Sequence, residues 1–164
     1  MIVLGIDPGF SITGFGVMKR ESGKVVLLEY GYICLERKDG LPRRLTQFYQ
    51  FFSDKIQQFQ VTHLGLETPF LGKNAQNFLK LGYLRGALYL LCDRYQLIIS
   101  EFSPREVKMK VAGSGAADKE QVARCMMRFF PALHSLEKLD VTDALAVTLC
   151  CIWAQSSPLH KFSL

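Results

Sequence analysis

Four carboxylates stand where charge needs a reason. Asp7 closes the apolar run Ile2-Val3-Leu4-Gly5-Ile6, and Glu67 closes a second, Leu64-Gly65-Leu66. Asp140 and Asp143 lie three apart just before Ala144-Leu145-Ala146-Val147, a stretch that reads as a buried helix. Strand ends in a core and buried helix faces disfavour charge unless it is paired or bound to a metal. The three-residue spacing puts both aspartates on one helical face. Four acids converging from separate elements form an oxygen-only donor set, which suits hard divalent cations. The chemistry this points to is metal-assisted work on phosphates. Phosphodiester hydrolysis needs an activated water and a neutralised leaving oxygen, and two cations about 3.5–4 Å apart supply both. Asp7, at a central strand end, is the candidate to bridge two such ions, with Glu67 on one and Asp140 and Asp143 on the other. Each acid also has a plainer reading. Asp7-Pro8-Gly9 is a turn signal, Asp140 and Asp143 suit a helix start, and Glu67 can end a strand beside a proline. In this combination and order they read as a site.

The elements that must position these acids follow from periodicity. Residues 2–7 form a short buried strand broken by Pro8-Gly9. Thr13 to Lys19 and Lys24 to Glu36 read as two further strands around the turn Glu21-Ser22-Gly23. Short turns permit an antiparallel meander, whereas parallel pairing needs crossovers. From Leu41 the apolar residues Leu45, Phe48, Phe52, Ile56 and Phe59 recur at intervals of three and four, which marks a helix with Pro42 in its first turn. A strand over Val61 to Leu66, a loop over Thr68 to Lys73, a helix over Ala75 to Tyr95 and a strand over Leu97 to Phe102 come next. Ser103-Pro104-Arg105-Glu106 has capping-box spacing and opens a short helix. A Gly-rich connection over Ala112 to Ala117, a helix over Asp118 to Phe130 and a last helix over 139–155 complete the chain. A meander followed by helix–strand alternation predicts an α/β fold, a mixed sheet covered by helices.

At 164 residues the chain is long enough for a substantial core in one domain, here expected over 1–156 with a short tail over 157–164. With 49% hydrophobic and 21% charged residues it is globular rather than disordered. The formal charge is +5, and drawing four acids into one site leaves the remaining surface more basic, which favours a polyanionic partner. The cysteines at 34, 92, 125, 150 and 151 are odd in number, lack zinc spacing and sit mostly in apolar stretches, as reduced core cysteines do. The amino terminus enters a strand with no basic leader, and no stretch is long enough to span a membrane, so a cytoplasmic location is expected. His63, His134 and His160 have no partner at ligand spacing.

Several motifs together resemble the RuvC family of Holliday-junction resolvases. They are Gly5-Ile6-Asp7-Pro8-Gly9 with Thr13-Gly14-Phe15-Gly16-Val17, Glu67-Thr68-Pro69-Phe70 with Lys73-Asn74, and Leu79-Lys80-Leu81-Gly82 with Arg85-Gly86. Pro104-Arg105-Glu106-Val107-Lys108, Gly113 to Lys119, and Asp140 to Ala146 follow in the family's order. The resemblance implies a ribonuclease H-like mixed five-stranded sheet flanked by helices, a homodimer, and magnesium-dependent symmetric nicking of four-way DNA junctions. It also implies RuvA-like and RuvB-like branch-migration partners.

By the same resemblance Lys119 and Lys108 lie near the scissile phosphate, where a lysine can hold a non-bridging oxygen. Phe70 is a candidate to stack on or wedge between bases, with core packing as the alternative. Pro69 departs from the branched apolar residue expected beside it. Lys73 and Asn74 are candidates for backbone phosphate contacts. The 75–95 helix is apolar on more sides than one core needs, and Gly82 and Gly86 open one face to another backbone. A central buried helix would also explain that pattern, and the resemblance favours the homodimer. The rivals are a structured-RNA nuclease on the same fold and a non-catalytic junction binder. The second has no use for four carboxylates.

Overall fold

The computed structural model describes residues 1–36, 38–69, 75–133 and 139–155. The meander is strand β1 (Ile2–Asp7), β2 (Ile12–Glu21) and β3 (Lys24–Cys34). Then come helix α1 (Leu41–Phe59), β4 (His63–Glu67), α2 (Ala75–Tyr95), β5 (Ile98–Phe102), α3 (Pro104–Ala112), α4 (Lys119–Phe129), a 3₁₀ turn (Pro131–Leu133) and α5 (Leu139–Ala154). The five strands form one mixed sheet in the order β3-β2-β1-β4-β5. β1 pairs antiparallel with β2 and parallel with β4, so it is the central strand. The two parallel steps require crossovers, which α1 and α2 provide.

The ends differ from the sequence reading by a residue or two. β4 begins at His63 because Val61 is still hydrogen-bonded to the end of α1, its N–H donating to the Ile56 carbonyl at 3.0 Å. β2 begins at Ile12, and β3 stops at Cys34. Among the described residues no helix is long and apolar enough to cross a membrane, and Cys34, Cys92, Cys125, Cys150 and Cys151 are free thiols.

Strand alternation sends successive side chains to opposite faces of the sheet. On β1, Leu4 and Ile6 join a core with Phe48, Phe52, Leu84 and Leu88 of α1 and α2. Val3 faces the other way, into a core with Val107, Met126, Leu145 and Val147 of α3, α4 and α5. Gly5 and Asp7 continue the Val3 side. β4 repeats the pattern: Leu64 and Leu66 face α1 and α2, whereas Gly65 faces α5. Glu67 therefore emerges on the same face as Asp7.

Candidate active site

What brings α5 down to those strand ends is a row of absent side chains. Gly16, Gly5 and Gly65 lie side by side in register across β2, β1 and β4. A Cβ on Gly5 would sit 2.7 Å from the Ala144 carbonyl oxygen, and one on Gly65 only 3.2 Å from the Cys151 Cβ. The first would push the helix off the sheet, and the second would make Cys151 and Val147 give by a few tenths of an ångström. Gly14, paired with Asp7, lies under the first turn of α5, where a Cβ would come within 2.5 Å of the Asp140 carbonyl carbon. The Thr148 hydroxyl bridges the layers by donating to the Ala144 carbonyl at 2.8 Å and the Gly16 carbonyl at 3.3 Å. With the helix this close, its amino-terminal aspartates reach the carboxyl ends of β1 and β4.

Asp7, Glu67 and Asp143 line one cavity of about 190 Å³, with Lys108 and Lys119 on its wall and Val107 and Val122 behind them. Asp140 does not line it. That aspartate is half-buried one helical turn earlier, its backbone against Gly14, and it acts on Asp7 through its charge. Burial, then the charges of Asp143, Glu67 and Asp140, push the Asp7 carboxyl from 3.8 up to about 7, against the pull of Lys119. Burial and Asp143 likewise raise Glu67, opposed by Lys119 and Lys108. A roomier cavity of about 370 Å³ beside α4, lined by Ser114, Gln121, Arg124 and Arg128, holds no carboxylate.

Capped helices aim both lysines. Ser103 accepts from the Glu106 N–H at 3.2 Å while Glu106 accepts from the Ser103 N–H at 2.7 Å, and this reciprocal box starts α3 toward Lys108. Asp118 and Gln121 form the same box on α4, which makes Lys119 its first residue. Gly113 closes α3 at φ +74°, a left-handed conformation that glycine adopts without strain. The Lys119 ammonium donates to Asp143 Oδ2 at 2.8 Å. That bond, and the nearby negative charge, raise its own pKa.

The donor set fits a hard cation. Three carboxylates share a cavity, a fourth acts on it electrostatically, and the innermost resists ionisation because it is buried and because its acidic neighbours outweigh the pull of Lys119. Among the described residues no three acidic, histidine or cysteine side chains are drawn together tightly enough to hold an ion as they stand. The Lys119–Asp143 pair ties up one of the acids. Phe70, Lys73 and Asn74 lie outside the described residues, as do His134, His160 and the 157–164 tail.

Two parts of this arrangement were not singled out in the sequence for a physical role. The glycine row was visible only as strand glycines, although isolated glycines in a strand signal a close backbone approach. Arg85 sits among the apolar residues of α2, is 7% exposed, and donates to the Glu67 carbonyl at 2.7 Å. A lone charge in the middle of an apolar helical stretch was the available signal.

The family model described as crossover junction endodeoxyribonuclease RuvC matches residues 3–151. The crossover junction endodeoxyribonuclease RuvC of Chloroherpeton thalassium is 43% identical over 150 residues, which cover 92% of this chain and 81% of the relative. That of Chlorobium chlorochromatii is 45% identical over 153 residues, 93% of this chain and 79% of the relative. Among solved structures, Thermus thermophilus RuvC in complex with a Holliday junction superposes with a TM-score of 0.87 at 24% identity, covering 95% of this chain and 96% of that one. The yeast mitochondrial Holliday junction resolvase Ydc2 gives 0.64 at 16% identity over 89% of this chain and 75% of that one. Those superpositions place the ribonuclease H-like sheet among junction-resolvase folds. Sequence identity above two-fifths, sustained from β1 into α5, makes this chain a member of the RuvC family.

Proposed function

We propose that this protein is an endonuclease that resolves four-way DNA junctions by metal-dependent hydrolysis of two symmetric phosphodiesters. The observation that carries the reading is the meeting of Asp7, Glu67 and Asp143 in one cavity, in a chain of this family. A divalent metal is consistent with that family, and the finer assignment is two Mg²⁺ ions per site, with Mn²⁺ able to replace them. Asp7 would bridge the two ions, Glu67 would serve one and Asp143 the other, and Asp140, which does not line the cavity, would join Asp143 only with a shift of the first turn of α5. When bound, such ions supply an activated water and neutralise the leaving oxygen.

The protein's own contribution is placement and charge. Strand ends and a helix fixed to the sheet hold the backbones that carry the acids, and the side chains would close on an ion from there. Lys119 donates to Asp143, and its ammonium would be able to turn to a non-bridging phosphate oxygen once that carboxylate has another partner. Lys108, also lining the cavity, adds positive charge near Glu67. Val107 and Val122 give the cavity an apolar back that strengthens these interactions. Phe70 is assigned to the opened bases of the junction, and Lys73 and Asn74 to the phosphates beside it.

Two symmetric cuts call for two sites related by a two-fold axis. The α2 face supports a homodimer through residues 75–95: Leu79 is 55% and Leu90 66% exposed, with Tyr83 beside them and no side chain on Gly82 or Gly86. Exposed apolar surface of this kind marks an interface. RuvA-like and RuvB-like proteins are the partners assigned by kinship. The nuclease domain is taken as 1–156 with 157–164 as a tail, in a cytoplasmic protein.

The test is cleavage of a synthetic four-way junction in Mg²⁺, with linear duplex and Asp7→Asn as controls. Paired symmetric nicks on the junction alone, lost in the variant, are the expected result. Tight binding without cutting in Mg²⁺ or Mn²⁺ would make the protein a binding module. Cutting of RNA or plain duplex would keep the site and overturn the substrate.

A further inference from the structure

We infer that Arg85 is the positioning residue of Glu67, fixing the direction in which that carboxylate enters the site. The inference rests on the reading of Glu67 as a metal ligand. Glu67 is the last residue of β4, and beyond it the parallel ladder stops. At such an end the next peptide group would be free to rotate and carry the side chain with it. Here both ends of that one peptide unit are held. The Thr68 N–H donates to the Phe102 carbonyl at 2.8 Å, and the Glu67 carbonyl accepts from Arg85 Nη1 at 2.7 Å. Pinning both groups sets the backbone torsion on the carboxyl side of the Glu67 Cα, and with it the line of the Cα–Cβ bond.

Arg85 is itself held. Its Nη2 donates to the Tyr89 hydroxyl at 2.9 Å and forms a tight ion pair with Glu101. The Tyr89 hydroxyl in turn donates to Glu101 Oε1 at 2.7 Å. Glu101 belongs to β5, where it is paired with Leu66, the residue before Glu67. The guanidinium is thus locked between the helix that carries it and the strand beside its target. Only a planar fork can hold a carbonyl with one nitrogen and a carboxylate with another. A buried guanidinium is an unfavourable way to stabilise a core, since apolar residues of similar volume often do as well or better. Its location on the peptide bond of a candidate ligand supplies a different reason for it to be there.

The experiment follows the metal-induced rise in melting temperature of Arg85→Met, Arg85→Lys and Glu101→Gln as Mg²⁺ or Mn²⁺ is titrated without DNA. Single-turnover junction cleavage and metal-free junction binding are measured in parallel. Loss of an interaction that orients a ligand weakens metal binding by roughly 10–100-fold. Arg85→Met should move the half-saturating metal concentration by at least about tenfold, and slow cleavage by a similar factor at fixed Mg²⁺. Metal-free junction binding, dominated by phosphate contacts, should stay within about twofold. Arg85→Lys should fall between, and Glu101→Gln should show a smaller shift of the same sign.

A lower melting temperature with an unmoved metal half-point would make Arg85 a structural residue and overturn the proposal. If Arg85→Met does not fold, an unmoved half-point in both Arg85→Lys and Glu101→Gln overturns it equally. A wild-type metal shift without junction cleavage would defeat the substrate assignment and leave the role of Arg85 standing. The absence of any metal shift in the wild type would defeat both.

Discussion

The two faces of the sheet are built on opposite principles. Toward α1 and α2 the contacts are bulky: Phe15, Phe48, Phe51 and Phe52 meet edge to face, with ring centroids 4.8 Å apart for Phe48 and Phe52 and 5.4 Å for Phe15 and Phe51. Toward α5 the centre of the sheet presents bare backbone, with Gly16, Gly5 and Gly65 under a helix of Ala144, Thr148 and Cys151. Large rings gain burial and hold layers apart. Bare backbone gives up burial and brings layers together. Both faces bury a hydrophobic core, but only the glycine row on the α5 face supplies the short distance at which Asp143 can share a cavity with Asp7 and Glu67. Substitutions should separate the two, with activity and stability moving independently.

Asp7→Asn is the sharpest separation, because it should abolish activity while stabilising the fold. Loss of a bridging ligand removes several kcal/mol of transition-state stabilisation, so cleavage should fall by about a thousandfold or more. The metal-free protein should respond in the other direction. Between 3.8 and about 7 the folded state retains a proton on Asp7 that the unfolded chain has released. Wild-type stability therefore falls as pH rises through that window and is lowest above it. Asp7→Asn has no such group, so its advantage is absent below that window and full at pH 8, on the order of 2–4 kcal/mol. Denaturant melts at pH 8 and at acid pH measure this difference. Mg²⁺ should narrow it at pH 8 by stabilising only the wild type. Equal stability at both pH values would mean that neither burial nor neighbouring charge holds the Asp7 carboxyl above its ordinary range.

Phe52→Ala is the mirror experiment on the other face. Phe52 is fully buried and touches three other rings. Removing it should cost about 3–5 kcal/mol. The Mg²⁺ dependence of cleavage by the molecules that remain folded should not change. A shift in that dependence would mean that the aromatic face also sets the geometry of the acids.

How far the sequence carried the argument differs between the same two faces. The aromatic face was legible, because the run from Leu41 to Phe59 repeats at helical spacing and becomes α1 with those bounds. So was the capping box at Ser103 and Glu106, a local device that needs no tertiary partner. The acids were legible as residue types at the ends of apolar runs. Their unequal placement was not. Spacing put Asp140 and Asp143 on one face of a helix, but which of them meets the cavity depends on how the helix rests on the sheet. That is decided at Gly14 and Gly5, across chain separations of more than a hundred residues. The Lys119–Asp143 pair and the hold of Arg85 on Glu67 are likewise long-range contacts that no local pattern encodes.

Gly14→Ala tests the glycine side directly. The added methyl would meet the Asp140 backbone, which cannot give way without moving the first turn of α5. Overpacking of this kind destabilises by about 1–3 kcal/mol. Displacement by a fraction of an ångström should also slow cleavage by roughly tenfold to a hundredfold. Gly23→Ala, at a turn with open space around it, controls for glycine loss in general. It should affect stability through its positive φ and leave the Mg²⁺ dependence alone. A Gly14→Ala enzyme with wild-type kinetics would mean that the close approach of α5 is not what assembles the acids.

The smallest effects divide the two lysines. Both line the cavity, but Lys119 is bonded to a candidate ligand and lowers the pKa of both Asp7 and Glu67, whereas Lys108 lowers only that of Glu67. Lys119 is therefore the better placed to stabilise charge at the reacting phosphate, and Lys119→Ala should slow single-turnover cleavage by roughly a hundredfold. Lys108 acts on Glu67 and not on the innermost acid, and its gain is to attract the phosphate backbone. Lys108→Ala should weaken junction binding and reduce the slope of log affinity against log salt by about 1. Its saturated cleavage rate should change little. The reverse pattern, with the rate lost in Lys108→Ala and the salt slope lost in Lys119→Ala, would exchange the roles. It would also mean that substrate binding turns the phosphate toward α3 rather than α4.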